Sequence, residues 1–147
     1  MNAFLVFLHV VAAALWVGGM AFAHFCLRPA AFELLPPPQR VPLMVGALGR
    51  FFRLVAGAVV ILWLTGLLRF GAAGAAVPVG WIAMTLIGLM MTLIFGWIVL
   101  RLYARARTAS QAQRWPDAAA ELNRIRILVS INLALGVSAI AAATLHR

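Results

Sequence analysis

The sequence predicts an all-α fold: an integral membrane four-helix bundle with both termini on the periplasmic side. Three observations predict it. Hydrophobic residues make up 65% of the 147 and the mean hydropathy is +1.04, far from the balance of a soluble domain. The apolar residues form four runs, about 3–27, 52–70, 78–100 and 126–145, each longer than the ~17 residues a spanning helix needs. The charge is asymmetric. All 12 basic residues are arginines, set against Glu33, Asp117 and Glu121. Ten of them (Arg28, Arg40, Arg50, Arg53, Arg101, Arg105, Arg107, Arg114, Arg124 and Arg126) fall in the first and third loops, leaving Arg69 and Arg147 on the other side. Arginine excess marks cytoplasmic loops, which sets the orientation. With no internal repeat and no linker, residues 1–147 read as one transmembrane domain.

The first run has no charge before Arg28 and holds two imidazoles, an indole, a Gly-Gly pair and a thiol. It lacks the basic start and small-residue cleavage site of a secretory signal, so it is expected to be retained. Arg28-Pro29 is expected to close it, because arginine snorkels to the headgroups and the residue before proline is pushed out of helical geometry. A loop of about two dozen residues should follow, through Glu33, a stiff Pro36-Pro37-Pro38 block and an amphipathic approach from Val41 to Arg50. Arg50 and Arg53 mark the base of the second helix, which ends at Arg69. The short GAAGAAVPVG connection makes the second and third helices antiparallel neighbours. The third continues past the bilayer as RLYARARTASQAQRW, where Pro116-Asp117 should interrupt and Asp117 should cap the next helix. Ala118 to Arg126 then reads as a solvated stalk leading into the fourth helix.

Depth follows from this topology. His9 lies about six residues into the first helix, roughly 9 Å at the helical rise, level with Thr65, Met84 or Thr85, and Ser138. Near the midplane come Trp16, Met91, Thr92 and Asn132, whose amide should bond across helices. The inner level holds Met20 and His24, four residues apart on one face, close to Cys26 and Arg28. Polar groups in hydrocarbon are costly and tend to be functional. Soft thioether and imidazole donors suit Cu(I), and imidazole also suits haem iron, so His9, Met84, Met20 and His24 are the candidate metal ligands. Methionines also serve as packing. Trp16 would shape a cavity, while Gly18 and Gly19 leave a groove for a neighbouring helix or a flat ligand. Trp81 and Trp97 fit an interfacial belt, and His146 a solvated terminus.

Absences narrow the chemistry. The spans carry no acidic residue, which excludes a carboxylate relay or a hard-cation site within the bilayer. No nucleotide loop, serine nucleophile arrangement or zinc cluster can be assembled, so ATP-driven transport within this chain is excluded. The arginines imply anionic lipid as a partner, not nucleic acid. Cys26 is the single cysteine and has no internal disulfide partner. Gly80, Gly88 and Gly96 form a small-residue series suited to internal packing or to a homo-oligomer.

His9, Trp16-Val17-Gly18-Gly19 and Leu27-Arg28-Pro29-Ala30 together resemble the first helix of the copper-resistance protein D (CopD) type of small bacterial membrane protein. Asn123-Arg124-Ile125-Arg126 and Asn132-Leu133-Ala134-Leu135-Gly136 are similar to the fourth helix of short proteins of that type. The resemblance implies a multi-pass protein of the bacterial inner membrane that handles copper or supports a metal-linked redox step. The spacing of His9 and Trp16 also resembles the HemJ-type protoporphyrinogen oxidases, which implies a haem b ligated by His9. The ring would lie against Gly18-Gly19, and Arg28 or Arg53 would hold a porphyrin carboxylate. Two departures set this chain apart from the oxidases: His24 and Phe25 stand where they place an arginine, and the third helix has no lysine. A scaffold subunit without a cofactor, whose polar residues only knit helices together, is the third reading.

Overall fold

The computed structural model describes residues 3–73 and 77–145; the connection at 74–76, His146 and Arg147 lie outside the described residues. Four helices carry the chain: α1 (Ala3–Leu34), α2 (Pro37–Ala73), α3 (Val79–Gln111) and α4 (Trp115–Leu145). Each is long and apolar enough to cross a membrane, and no strand occurs among the described residues. Their outer surface supports the same conclusion. Phe7, Leu64, Leu93 and Val137 are each more than half exposed, a distribution that is a liability in water and is the expected one against acyl chains.

The helices outrun the expected boundaries. At ~1.5 Å per residue, lengths of 31 to 37 residues give roughly 46–56 Å against a hydrocarbon core of ~30 Å. The excess lies at the arginine-rich end. Pro29 does not close α1: a π-helical turn at Ala23–Leu27 precedes it, with the Arg28 amide donating back to the Ala23 carbonyl, and the helix resumes over Arg28–Leu34. A proline ring collides with the carbonyl four residues back, and a widened turn just upstream relieves that collision. The expected loop of two dozen residues contracts to Leu35 and Pro36. Pro37 and Pro38 open α2, where missing amide hydrogens cost nothing, and the amphipathic segment joins that helix through buried Val41, Met44, Val45 and Leu48.

The turn between α3 and α4 also departs from expectation. Arg114 donates to Ala109 and Gln113 to Ser110, the paired bonds of a Schellman cap, with Gln113 at φ 56°. Asp117 is not the cap of α4. It lies inside the first turn and pairs with Arg114 at 3.1 Å on the surface. A left-handed backbone suits glycine better than glutamine, so Gln113→Gly is expected to stabilise the protein by about 1 kcal/mol. Thermal unfolding in detergent should show a raised midpoint.

Consecutive helices are antiparallel. His9 meets Thr65 across α1 and α2, Trp63 meets Thr92 across α2 and α3, and Asn132 meets the Met91 carbonyl across α4 and α3. Ala3 and Leu145 therefore share one end with the α2–α3 connection, and the other two turns share the arginine-rich end. Closest approaches occur at glycine. Phe51 rests on Gly19, the Tyr103 hydroxyl on Gly49, and Val17 and Met91 on Gly136. A ladder of edge-on rings, Trp16–Phe95–Phe52–Tyr103, runs through the centre with centroid separations of 6.0, 5.9 and 5.4 Å. Two cavities among the described residues share no lining residue.

Candidate ligand-binding site

The larger cavity, about 370 Å³, lies in the arginine-poor half between all four helices. His9 and Trp16 reach it from α1, Trp63 and Gly66 from α2, Met84 and Met91 from α3, and Gly136 and Thr144 from α4. Most of the wall is apolar, as expected where each helix turns its small and aliphatic residues inward. Volume alone separates two kinds of occupant. A water or a bare ion needs only ~10–15 Å³, whereas pockets for organic ligands run from ~300 to ~1,000 Å³.

The polar groups of the wall are nearly all spent. Thr85 donates to Trp81, Thr92 to Gly88 and Thr144 to Ile140, each to its own helix at 2.8 Å. Thr92 also accepts the Trp63 indole N–H at 3.1 Å. These hydroxyls satisfy the backbone first, as serine and threonine do in helices that cannot borrow water.

The exceptions are the Trp16 indole N–H, which has no partner among the described residues, and His9, whose state Thr65 fixes. The Thr65 Oγ1 lies 2.7 Å from the Ile61 carbonyl and 2.7 Å from His9 Nδ1. Both contacts are short enough to require a proton. A carbonyl has none to give, so the threonine hydroxyl donates to Ile61 and must accept from His9 Nδ1–H. In the neutral imidazole that assignment leaves the lone pair on Nε2, which makes no hydrogen bond among the described residues. The site thus places on the wall of a ligand-sized cavity an imidazole with one unbonded nitrogen and a hydrogen-bonded second nitrogen of the kind that orients metal-binding imidazoles.

Arg69 sits beside this end of the cavity. Its guanidinium stacks on Trp81 at 4.4 Å from the ring centroid, Phe70 packs on the same indole at 6.3 Å, and its buried Nε has no hydrogen-bond partner among the described residues. The guanidinium lies within electrostatic reach of His9.

The sequence-derived candidates divide by position. His9, Trp16 and Met84 come together on one cavity. Met20 lies in the core, 2% exposed, and does not line that cavity. Gly19 receives the Phe51 ring, so its groove takes a neighbouring helix, and Gly18 is exposed with open space where a Cβ would stand. His24 and Arg28 line the second cavity, at the arginine-rich end, and Arg53 is exposed. Ser138 is exposed and bonds to Ala134, off the wall. No group of three His, Cys, Asp or Glu side chains suited to a metal occurs among the described residues. In the glycine series, Gly80 is buried and Gly88 lines the cavity, so both face inward. Sequence reading missed Trp63 and Arg69. The signal for Arg69 was its isolation, as the single arginine of the second helix's arginine-poor end.

A polytopic membrane bundle that presents one oriented imidazole to an apolar, ligand-sized cavity is the class these features define. The chain belongs to the family described as Domain of unknown function (DUF4149), which matches residues 11–114. The match begins two residues after His9 and ends at the turn before α4, so it takes in most of α1 and all of α2 and α3. Neither the comparison with curated proteins nor that with solved structures gives a match.

Proposed function

We propose that the protein is an inner-membrane protein of the copper-resistance D type that supports a metal-linked redox step, with its metal group held in the larger cavity by His9. The observation that carries this reading is the free Nε2 of an imidazole whose other nitrogen is committed to Thr65. The distribution of arginines supports an orientation with the cavity in the periplasmic half of the bilayer and both termini on that side.

A b-type haem is the version the cavity supports best. His9 would hold the haem through its Nε2, and the apolar wall would exclude water. Arg28 and Arg53, the carboxylate partners implied by the resemblance, stand away from this cavity: Arg28 lines the second one and Arg53 is exposed. Once bound, the haem would supply one-electron chemistry at iron. The protein's contribution is to orient one nitrogen and to surround the group with an apolar wall.

A specific observation favours a second reading, copper handling. Met84 and Met91 line the cavity with His9, and two thioethers with an imidazole form a soft donor set for Cu(I). The absorption spectrum and metal content of protein purified from haem- and copper-replete cells separate the two. The expected result is a Soret band; copper without a Soret band selects the second reading. Colourless, metal-free protein overturns both and leaves a scaffold subunit.

A further inference from the structure

The second cavity serves neither reading. It holds about 50 Å³ at the arginine-rich end, between the lower parts of α1, α2 and α4. Arg28, Arg40 and Arg126 line it, one from each helix, and no acidic side chain does. Arg28 lies within electrostatic reach of both Arg40 and Arg126. Two of these guanidiniums crowd one aromatic ring: Arg28 lies 4.5 Å and Arg40 3.9 Å from the Phe32 centroid. Arg126 spends its Nε on Asn123 at 3.1 Å. The ion pairs of the described residues lie elsewhere, at Arg114–Asp117 and Arg124–Glu121.

Three like charges drawn around one small cavity repel one another, and among the described residues none of them forms an ion pair. An anion that takes donors from all three would remove that repulsion and gain charge-assisted hydrogen bonds. The space admits roughly three to five water-sized groups, about the bulk of a phosphate and its oxygens. Below the arginines the wall turns apolar through Val41, Met44, Leu48 and Val129. Arg28 and Arg126 are also the first charges met as α1 and α4 leave their apolar runs, the depth at which headgroups lie.

We infer that this cavity is a binding site for the phosphate headgroup of an anionic phospholipid, with Arg28, Arg40 and Arg126 as its donors and the apolar wall receiving the start of an acyl chain. Such a lipid would bind α1, α2 and α4 together at the arginine-rich face. Basic pockets between transmembrane helices take anionic headgroups on these terms.

The test uses the full-length protein in an uncharged detergent, titrated with short-chain phosphatidylglycerol, short-chain phosphatidylcholine and inorganic phosphate, with binding read by thermophoresis. Phosphatidylglycerol should bind at least tenfold more tightly than either other probe. Arg126→Gln and Arg40→Gln should each weaken it at least tenfold, while Arg107→Gln, on the exposed face of α3, should leave it unchanged. Equal binding of the two lipids overturns the proposal, as does an Arg107→Gln loss equal to that of Arg126→Gln. Phosphate binding as tightly as the lipid overturns the lipid assignment. Each variant is first checked for wild-type elution and helicity; should one arginine variant fail that check, the other decides. His9→Ala should leave this binding intact, so failure here and failure of the redox reading are separable.

Discussion

Protein carrying His9→Ala is expected to purify without its bound group, losing the Soret band, or the copper if that is the metal present. No other side chain on the cavity offers a nitrogen lone pair, because the remaining nitrogen-bearing side chains of the wall are Trp16 and Trp63, whose indole nitrogens are donors only. The more discriminating variant is Thr65→Val. It keeps the shape of the side chain and the imidazole itself, and removes only the oxygen that accepts from Nδ1. His9 is then free to rotate or to move its proton to Nε2, which would close the site to a metal. Loss of such an outer partner typically costs 10–100-fold in metal affinity. Titrating the metal group back into stripped protein measures that loss directly. Should Thr65→Val bind as wild type, the tautomer argument fails even if His9→Ala has its expected effect.

Gly49→Ala is expected to be the most damaging single-methyl change outside the cavity. The added carbon would run into the Tyr103 hydroxyl. That hydroxyl is tied to the Val45 carbonyl at 3.1 Å, and its ring is held edge-on by Phe52 at 5.4 Å, so it has no easy retreat. Overpacking typically costs about 1–3 kcal/mol, and the lost hydrogen bond adds about 1 kcal/mol. Gly57→Ala on the same helix is the control. Nothing lies within 4 Å of a Cβ there, so the gain in helix propensity should leave that variant neutral or stabilised by up to about 1 kcal/mol. Unfolding in mixed micelles should therefore move in opposite directions for the two substitutions. A Gly49→Ala protein as stable as wild type would show that the α2–α3 crossing is looser than the coordinates indicate.

Much of this architecture was legible before any coordinates. Four apolar runs sufficed for the helices, because hydrophobicity along the chain is a one-dimensional property that the bilayer reads directly. Depth was legible for the same reason, and it put His9 level with Thr65 and Met84, which the fold then brings to one place. Boundaries at the arginine-rich end were less legible. Pro29 and the Pro36-Pro37-Pro38 block read as helix breakers, yet each sits where a helix can carry it: after a π turn in one case and in a first turn in the other.

Facing was beyond reach. Ser138 and His9 share a level, but Ser138 points outward, while Met20 and His24, four residues apart, end up in the core and on the second cavity. The π turn at Ala23–Leu27 lies between Met20 and the rest of the helix and alters its phase. The meeting of Arg28, Arg40 and Arg126 was equally invisible, since the three stand far apart in the chain and only the packing of α1, α2 and α4 unites them.

By itself, then, the sequence determined the number of spanning helices, their antiparallel order and the level of each polar residue, all of which follow from where apolar length and positive charge lie along the chain. Tertiary structure alone decided which of those residues turn inward, which proton His9 carries and which arginines share a cavity. Those depend on rotation about each helix axis, set by side-chain packing at Gly19, Gly49 and Gly136 and by the π turns at Ala23–Leu27 in α1 and Ile98–Tyr103 in α3, and not by hydrophobicity.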